Sequence, residues 1–167
     1  MSTKPLNYEE KKQDVIINRV FDAPPEKLFQ AWSDPKMIAQ WWGGTTITTP
    51  VVKIDFRVGG LLLYCMKIPG GQDTWGKGIY KEIVRPSRIV VTDSFADPQG
   101  NTVPGSYYGM EEEWPTGLLL TLIFEDLKGK TKFTLIHSGL PEGEMIELTK
   151  TSWNESFDKL EELLSRE

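Results

Sequence analysis

Apolar and polar positions follow three regimes along this chain, and each predicts a different element. DVIINRVF, residues 14–21, is rich in β-branched side chains and reads as a strand. In DAPPEKLFQAWSDP, Pro25 suits a first helical turn, and Leu28, Phe29 and Trp32 then share one face of a short helix. Asp34-Pro35 supplies an N-cap and a proline at the first helical position, so a second short helix runs through MIAQWW and stops at Gly43-Gly44.

Strand patterns dominate from there. TITTPVVKIDFR (46–57), LLLYCMKI (61–68), WGKGIYKEIV (75–84) and RIVVTDSF (88–95) are separated by Gly59-Gly60, PGGQDT and RPS. A loop of about twenty residues follows, a length that in a compact domain is often functional. LLLTLIFEDLKGKTKFTLIHS (118–138) is a hairpin turning at Lys128-Gly129-Lys130. In the last segment, PEGEMIELTKTSWNESFDKLEELL, Ile146, Thr149, Trp153, Phe157, Leu160 and Leu164 recur at helical spacing and predict a long amphipathic helix. Strands segregated from helices give an α+β layered fold, in which that helix is the long element able to cover the concave face of a curved antiparallel sheet. Residues 1–13 read as a polar tail, and 14–167 as a single domain.

Composition narrows the functions. The net charge of −5 disfavours nucleic acid, which needs clustered Lys and Arg. No apolar window is long enough to span a membrane, and the polar N-terminus carries no secretion signal. The single cysteine, Cys65, fits a reducing, cytoplasmic setting, and with His137 it is too little for a zinc site. No metal and no cofactor is expected; the run Glu111, Glu112, Glu113 reads as a solvated loop.

Strand phases give the candidate lining of a cavity. Lys67 outward turns Leu63 and Cys65 outward and places Leu62, Tyr64 and Met66 inward. Lys77 and Lys81 outward place Gly76, Gly78, Tyr80 and Glu82 inward, although Ile79 and Ile83 oppose this phase. Lys132 outward places Phe133, Leu135 and His137 inward; Thr121 and Glu125 outward leave Leu120, Leu122 and Phe124 inside. Glu82 and His137 are then polar groups on an otherwise apolar concave face. If they approach each other, they are candidate catalytic residues, an acid/base pair, or fix a polar group on a ligand; otherwise they are a structural pair, Glu82 taking the proton of Tyr64 or Tyr80 and His137 satisfied by a backbone carbonyl. Trp41 and Trp42 are about 100° apart on a helix, so one belongs to the core and the other to a cavity mouth, with Gly43-Gly44 letting that lip flex. Tyr107, Tyr108, Met110 and Trp114 suit a lid over the entrance, and Trp153 and Phe157 are the positions on the long helix expected to touch a ligand.

In order and spacing, RVFDAPPEKLFQAWSDPKMIAQWW, DFRVGG, GKGIYKEIVRPSRIVVTDSF, TKFTLIHSGLPEGE and TSWNESFDKLEELL resemble the activator-of-heat-shock-protein-90-ATPase homologue-like family. That family lies within the START-like, birch-pollen-allergen-like (SRPBCC) superfamily. The resemblance covers roughly residues 14–165 and implies the helix-grip fold, a curved antiparallel sheet around a long C-terminal helix with a cavity between them. Superfamily members include lipid carriers, hormone receptors and cyclases, so the fold alone does not fix a function. The eukaryotic co-chaperones resemble this chain only in their C-terminal domain, which argues against a chaperone partner. Three functions follow: binding of a small hydrophobic or aromatic molecule, a cyclase- or hydrolase-like activity through Glu82 and His137, or a protein-interaction role. The last, a homodimer included, requires an exposed apolar patch around Trp42 and the 104–115 loop.

Overall fold

The computed structural model describes residues 12–110, 118–141 and 143–166. The chain runs β1 (Lys12–Phe21), α1 (Pro25–Ser33), α2 (Pro35–Trp41), β2 (Thr48–Ile54), β3 (Leu61–Lys67), β4 (Thr74–Val84), β5 (Arg88–Ala96), β6 (Leu118–Leu127), β7 (Lys130–Pro141) and α3 (Glu144–Ser165). All seven strands form one antiparallel sheet in the order β1-β7-β6-β5-β4-β3-β2. The first strand therefore returns to pair with the last, and β1 and β2 are the sheet's edges. This is the expected α+β helix-grip arrangement.

The two short helices form where the proline corner dictates. Asp34 caps α2 by accepting from the Lys36 N–H at 2.9 Å, with Pro35 in the first turn. Their apolar faces close one end of the grip. Trp32 stacks on Phe133 of β7 with ring centroids 5.6 Å apart, and Phe21, Phe133 and Phe157 meet edge to face at 5.4–6.0 Å. Trp41 is fully buried, its indole N–H donating to the Ala31 carbonyl at 3.0 Å. Helix α3 lays Ile146, Trp153, Phe157, Leu160 and Leu164 against this core.

Two readings of the strands need correction. In β4 the register slips between Tyr80 and Glu82, so Lys81 is an extra residue against β5. A bulge of one residue reverses the side-chain phase. Tyr80 stays inside, Ile83 turns in to pack on the core, and Glu82 turns out. In β3, Leu63 and Cys65 do face the convex side, yet both are buried. The segment after β5 folds back over them: a Cβ at Gly100 would lie 3.8 Å from Leu61 and 3.9 Å from Leu63. That burial pushes the Cys65 thiol up, which removes it from consideration as a reactive thiolate.

Candidate functional site

A cavity of about 270 Å³ lies between the mouth end of α3 and strands β3, β5 and β7. In volume it falls near the lower limit of small-molecule pockets. Its apolar walls are Trp42, Met66, Phe95, Leu148 and Trp153. Its polar groups are Tyr64, Asp93, Ser94 and His137 from the sheet, with Thr149, Ser152 and Ser156 from α3.

The sheet groups form one chain of contacts. Trp153 donates its indole N–H to His137 Nδ1 at 3.1 Å. That bond requires Nδ1 to accept, so the proton of the neutral imidazole sits on Nε2. Nε2 faces Asp93 Oδ2 at 3.3 Å, but the N–H is not aimed along the contact; it is an electrostatic contact without hydrogen-bond geometry. The Tyr64 hydroxyl donates to the other carboxylate oxygen, Asp93 Oδ1, at 3.1 Å. Burial first, and the Asp93 charge second, push the Tyr64 phenol up, so it remains a donor. A carboxylate has about four lone-pair positions. With one used by Tyr64 and one turned toward His137, Asp93 keeps acceptor capacity facing the cavity.

The sequence positions Tyr64 through a missing side chain. Gly76 is its cross-strand partner, and a Cβ there would lie 2.4 Å from the Tyr64 ring carbon and hydroxyl oxygen. Only glycine lets the tyrosine lie across β4 and reach Asp93 on β5.

The lip is held rather than loose. Ser156 Oγ donates to the Gly43 carbonyl at 2.8 Å and accepts from the Gly43 N–H at 3.1 Å. Glu155 accepts from the Thr45 N–H at 2.9 Å, and Lys159 donates to the carbonyls of Gly44 and Ile47 at 3.1 and 3.0 Å. Burial lowers the Lys159 pKa, partly offset by Glu155. Gly43 has φ +106 and faces Ile47 closely, which explains the glycine by conformation and space instead of by flexing.

The predicted lining divides among the open cavity, the sealed core, a separate void and positions outside all three. Trp42, Tyr64, Met66, His137 and Trp153 line the open cavity. Trp41, Phe133 and Phe157 are sealed in the core, fully buried. Leu62 and Tyr80 line a separate void of about 10 Å³ with Trp32, Ile38, Trp42, Ile89, Val91 and Leu122. Glu82 is on the outer side, half-exposed, in an ion pair with Arg88 at 3.0 Å. The Glu82–His137 pair is therefore not formed, as a catalytic dyad or as a structural one. Tyr108 sits in a 3-10 turn (Gly105–Tyr108) outside the cavity. Its hydroxyl donates to the Ala96 carbonyl and accepts from the Trp75 N–H, and its ring backs Phe95 at 5.7 Å. Trp114 and Glu111 to Glu113 lie outside the described residues. Trp42 is only 7% exposed, so it adds nothing to an exposed apolar patch.

Asp93 and the polar face of α3 are what the sequence reading missed. The signal for Asp93 was present: Ile89, Val91 and Asp93 share one alternation phase in β5, which points the carboxylate inward.

Among the described residues no helix is long and apolar enough to cross a membrane. A search of curated proteins finds no match. Solved structures do resemble the chain. A protein from Chromobacterium violaceum shares 26% identity with a TM-score of 0.75, over 90% of this chain and 95% of its own. One from Staphylococcus epidermidis shares 27% identity with a TM-score of 0.72, over 95% and 93%. The AHSA1 protein from Silicibacter pomeroyi shares the fold at 24% identity and a TM-score of 0.71, over 92% and 98%. The family described as activator of Hsp90 ATPase homolog 1-like protein matches residues 22–165, nearly the whole helix-grip domain, and the chain belongs to that family.

Proposed function

We propose that this protein binds a small, mainly aromatic molecule in the cavity beside α3, with a hydrogen-bond donor of the ligand placed on Asp93. The observation that carries this reading is the pairing of an open, aromatic-walled cavity with one carboxylate that retains free acceptor positions. Trp42 and Trp153, with ring centroids 5.3 Å apart, form an aromatic corner for a flat ligand. Catalysis is disfavoured by the same geometry. Both His137 nitrogens are turned to protein groups, and its side chain is 4% exposed, so no imidazole lone pair faces a substrate. A reducing, cytoplasmic setting suits the free thiol of Cys65.

Calorimetric titration with 2-naphthol and with 2-methoxynaphthalene tests the reading, because only the naphthol can donate. A hydrogen bond to a charged acceptor favours the naphthol about tenfold or more in the wild type. That preference should vanish in Asp93→Ala, whose folding is checked by its melting transition. Failure of both compounds to bind, or an unchanged preference in the variant, contradicts the proposal.

A further inference from the structure

Trp32 Nε1 and the Tyr80 hydroxyl are buried donors with no hydrogen-bond partner among the described residues. Native interiors rarely leave such groups orphaned, and each one calls for a specific explanation. Both residues line the same void of about 10 Å³, room for about one water molecule. Trp42 is a wall of this void and also of the open cavity of about 270 Å³. Its indole is thus the partition between them.

The partition is a side chain carried on a backbone that the lip holds in place. The Trp42 backbone is fixed: its N–H bonds to the Ile38 carbonyl at 2.9 Å, and its carbonyl accepts from Thr49 Oγ1 at 2.7 Å. Its ring packs on Trp32, Trp41, Tyr64 and Trp153 with centroids 5.0–5.8 Å apart, and borders the open cavity on one side. Burial raises the Tyr80 phenol's pKa, so this group remains a donor throughout the ordinary pH range.

The geometry points to a second, inner half of the binding site, reached past Trp42, where an uncharged acceptor oxygen of the ligand, such as a ketone or an ether, takes hydrogen bonds from Trp32 and Tyr80. This rests on the cavity reading above and adds the ligand's other end. The ligand is elongated, a donor at the mouth and an acceptor at the inner tip, with an aromatic body between. The inner end discriminates strongly, because a molecule lacking the oxygen leaves both donors as they are and gains nothing there.

The test compares 2-acetylnaphthalene with 2-isopropenylnaphthalene, which share one planar heavy-atom skeleton but differ in the carbonyl oxygen. Titrations on the wild type should show the ketone about tenfold tighter, and Tyr80→Phe should cut that preference several-fold. The variant removes a hydroxyl that holds no partner, so it tests recognition without breaking a bond in the fold. In ¹⁵N–¹H spectra, the Trp32 indole resonance (identified by its loss in Trp32→Phe) should move downfield with the ketone and not with the hydrocarbon. Equal binding of the two compounds, with an unmoved Trp32 resonance, overturns the inner site and leaves the cavity reading standing. Absence of binding by either compound also overturns the inner site, whereas the cavity reading is decided separately by the 2-naphthol titration.

Discussion

Ser156→Ala deletes one oxygen atom and tests how the cavity's lip is held. Ser156 is 2% exposed, and its hydroxyl meets both polar groups of Gly43, the carbonyl at 2.8 Å and the N–H at 3.1 Å. It also meets the Ser152 carbonyl at 3.1 Å, the usual back-bond of a helical serine. The substitution buries no less carbon, so the loss is almost wholly polar. It leaves a backbone donor and a backbone acceptor of Gly43 unpaired, at about 1–3 kcal/mol each when water cannot reach them. The cavity borders both residues, so water entering from it returns part of that sum. The expected loss is therefore near the lower end, about 2–3 kcal/mol. For a domain of this length that is a fall of roughly 4–12 °C in Tm. Urea denaturation monitored by tryptophan fluorescence measures it. Ser152→Ala serves as the control, since Ser152 lies on the same helix with an exposed side chain, and it should change stability by less than about 0.5 kcal/mol. A loss below about 0.5 kcal/mol for Ser156→Ala would refute the view that this hydroxyl fixes the lip.

Stability should also fall steeply in alkali. Tyr64 and Tyr80 have folded pKa values raised by burial, so the unfolded chain loses those protons near pH 10 while the folded chain keeps them. Their contribution is complete below about pH 10 and declines above it by roughly 1.4 kcal/mol per pH unit for each group. Lys159 acts in the opposite sense, gaining stability with rising pH only until its unfolded form deprotonates near pH 10.4. Denaturation midpoints measured from pH 8 to 11.5 should show the decline, and Tyr80→Phe should lessen it above pH 10 by roughly 1.4 kcal/mol per pH unit; an unchanged slope contradicts the assignment. Gly76→Ala places a Cβ 2.4 Å from the Tyr64 ring. It should cost about 1–3 kcal/mol by overpacking and weaken 2-naphthol binding by displacing the Tyr64–Asp93 pair; wild-type stability in the variant would refute the steric role of Gly76.

Legibility in the sequence depended on how each strand meets its neighbours. In β6 and β7 one charged residue fixes the phase, and regular pairing carries it along the strand; Lys132 outside sets Phe133, Leu135 and His137 inside. In β4 the same reasoning holds as far as Tyr80 and fails beyond it, because the extra residue Lys81 is a property of the β4–β5 pairing. The opposition of Ile83 to the assumed phase was the trace the bulge left in the sequence. A carboxylate near a strand's end, as Asp93 is, is compatible with solvent, and only its alternation with Val91 places it inward. The burial of Leu63 and Cys65 depends on a loop that returns to the convex face, a long-range contact with no local signature. The tryptophan cluster divides by geometry: Trp32 and Trp41 seal the core, and Trp42 stands between the core and the open space.

The central claim is that a small aromatic donor-bearing ligand sits between Trp42, Trp153 and Asp93. The most direct test is a ¹⁵N–¹H titration with 2-naphthol. Saturable shifts confined to residues 42–44, 64–66, 93–95, 137 and 148–156, including the Trp42 and Trp153 indoles, are the expected result. Shifts scattered over the surface, or none at millimolar ligand, would contradict the claim.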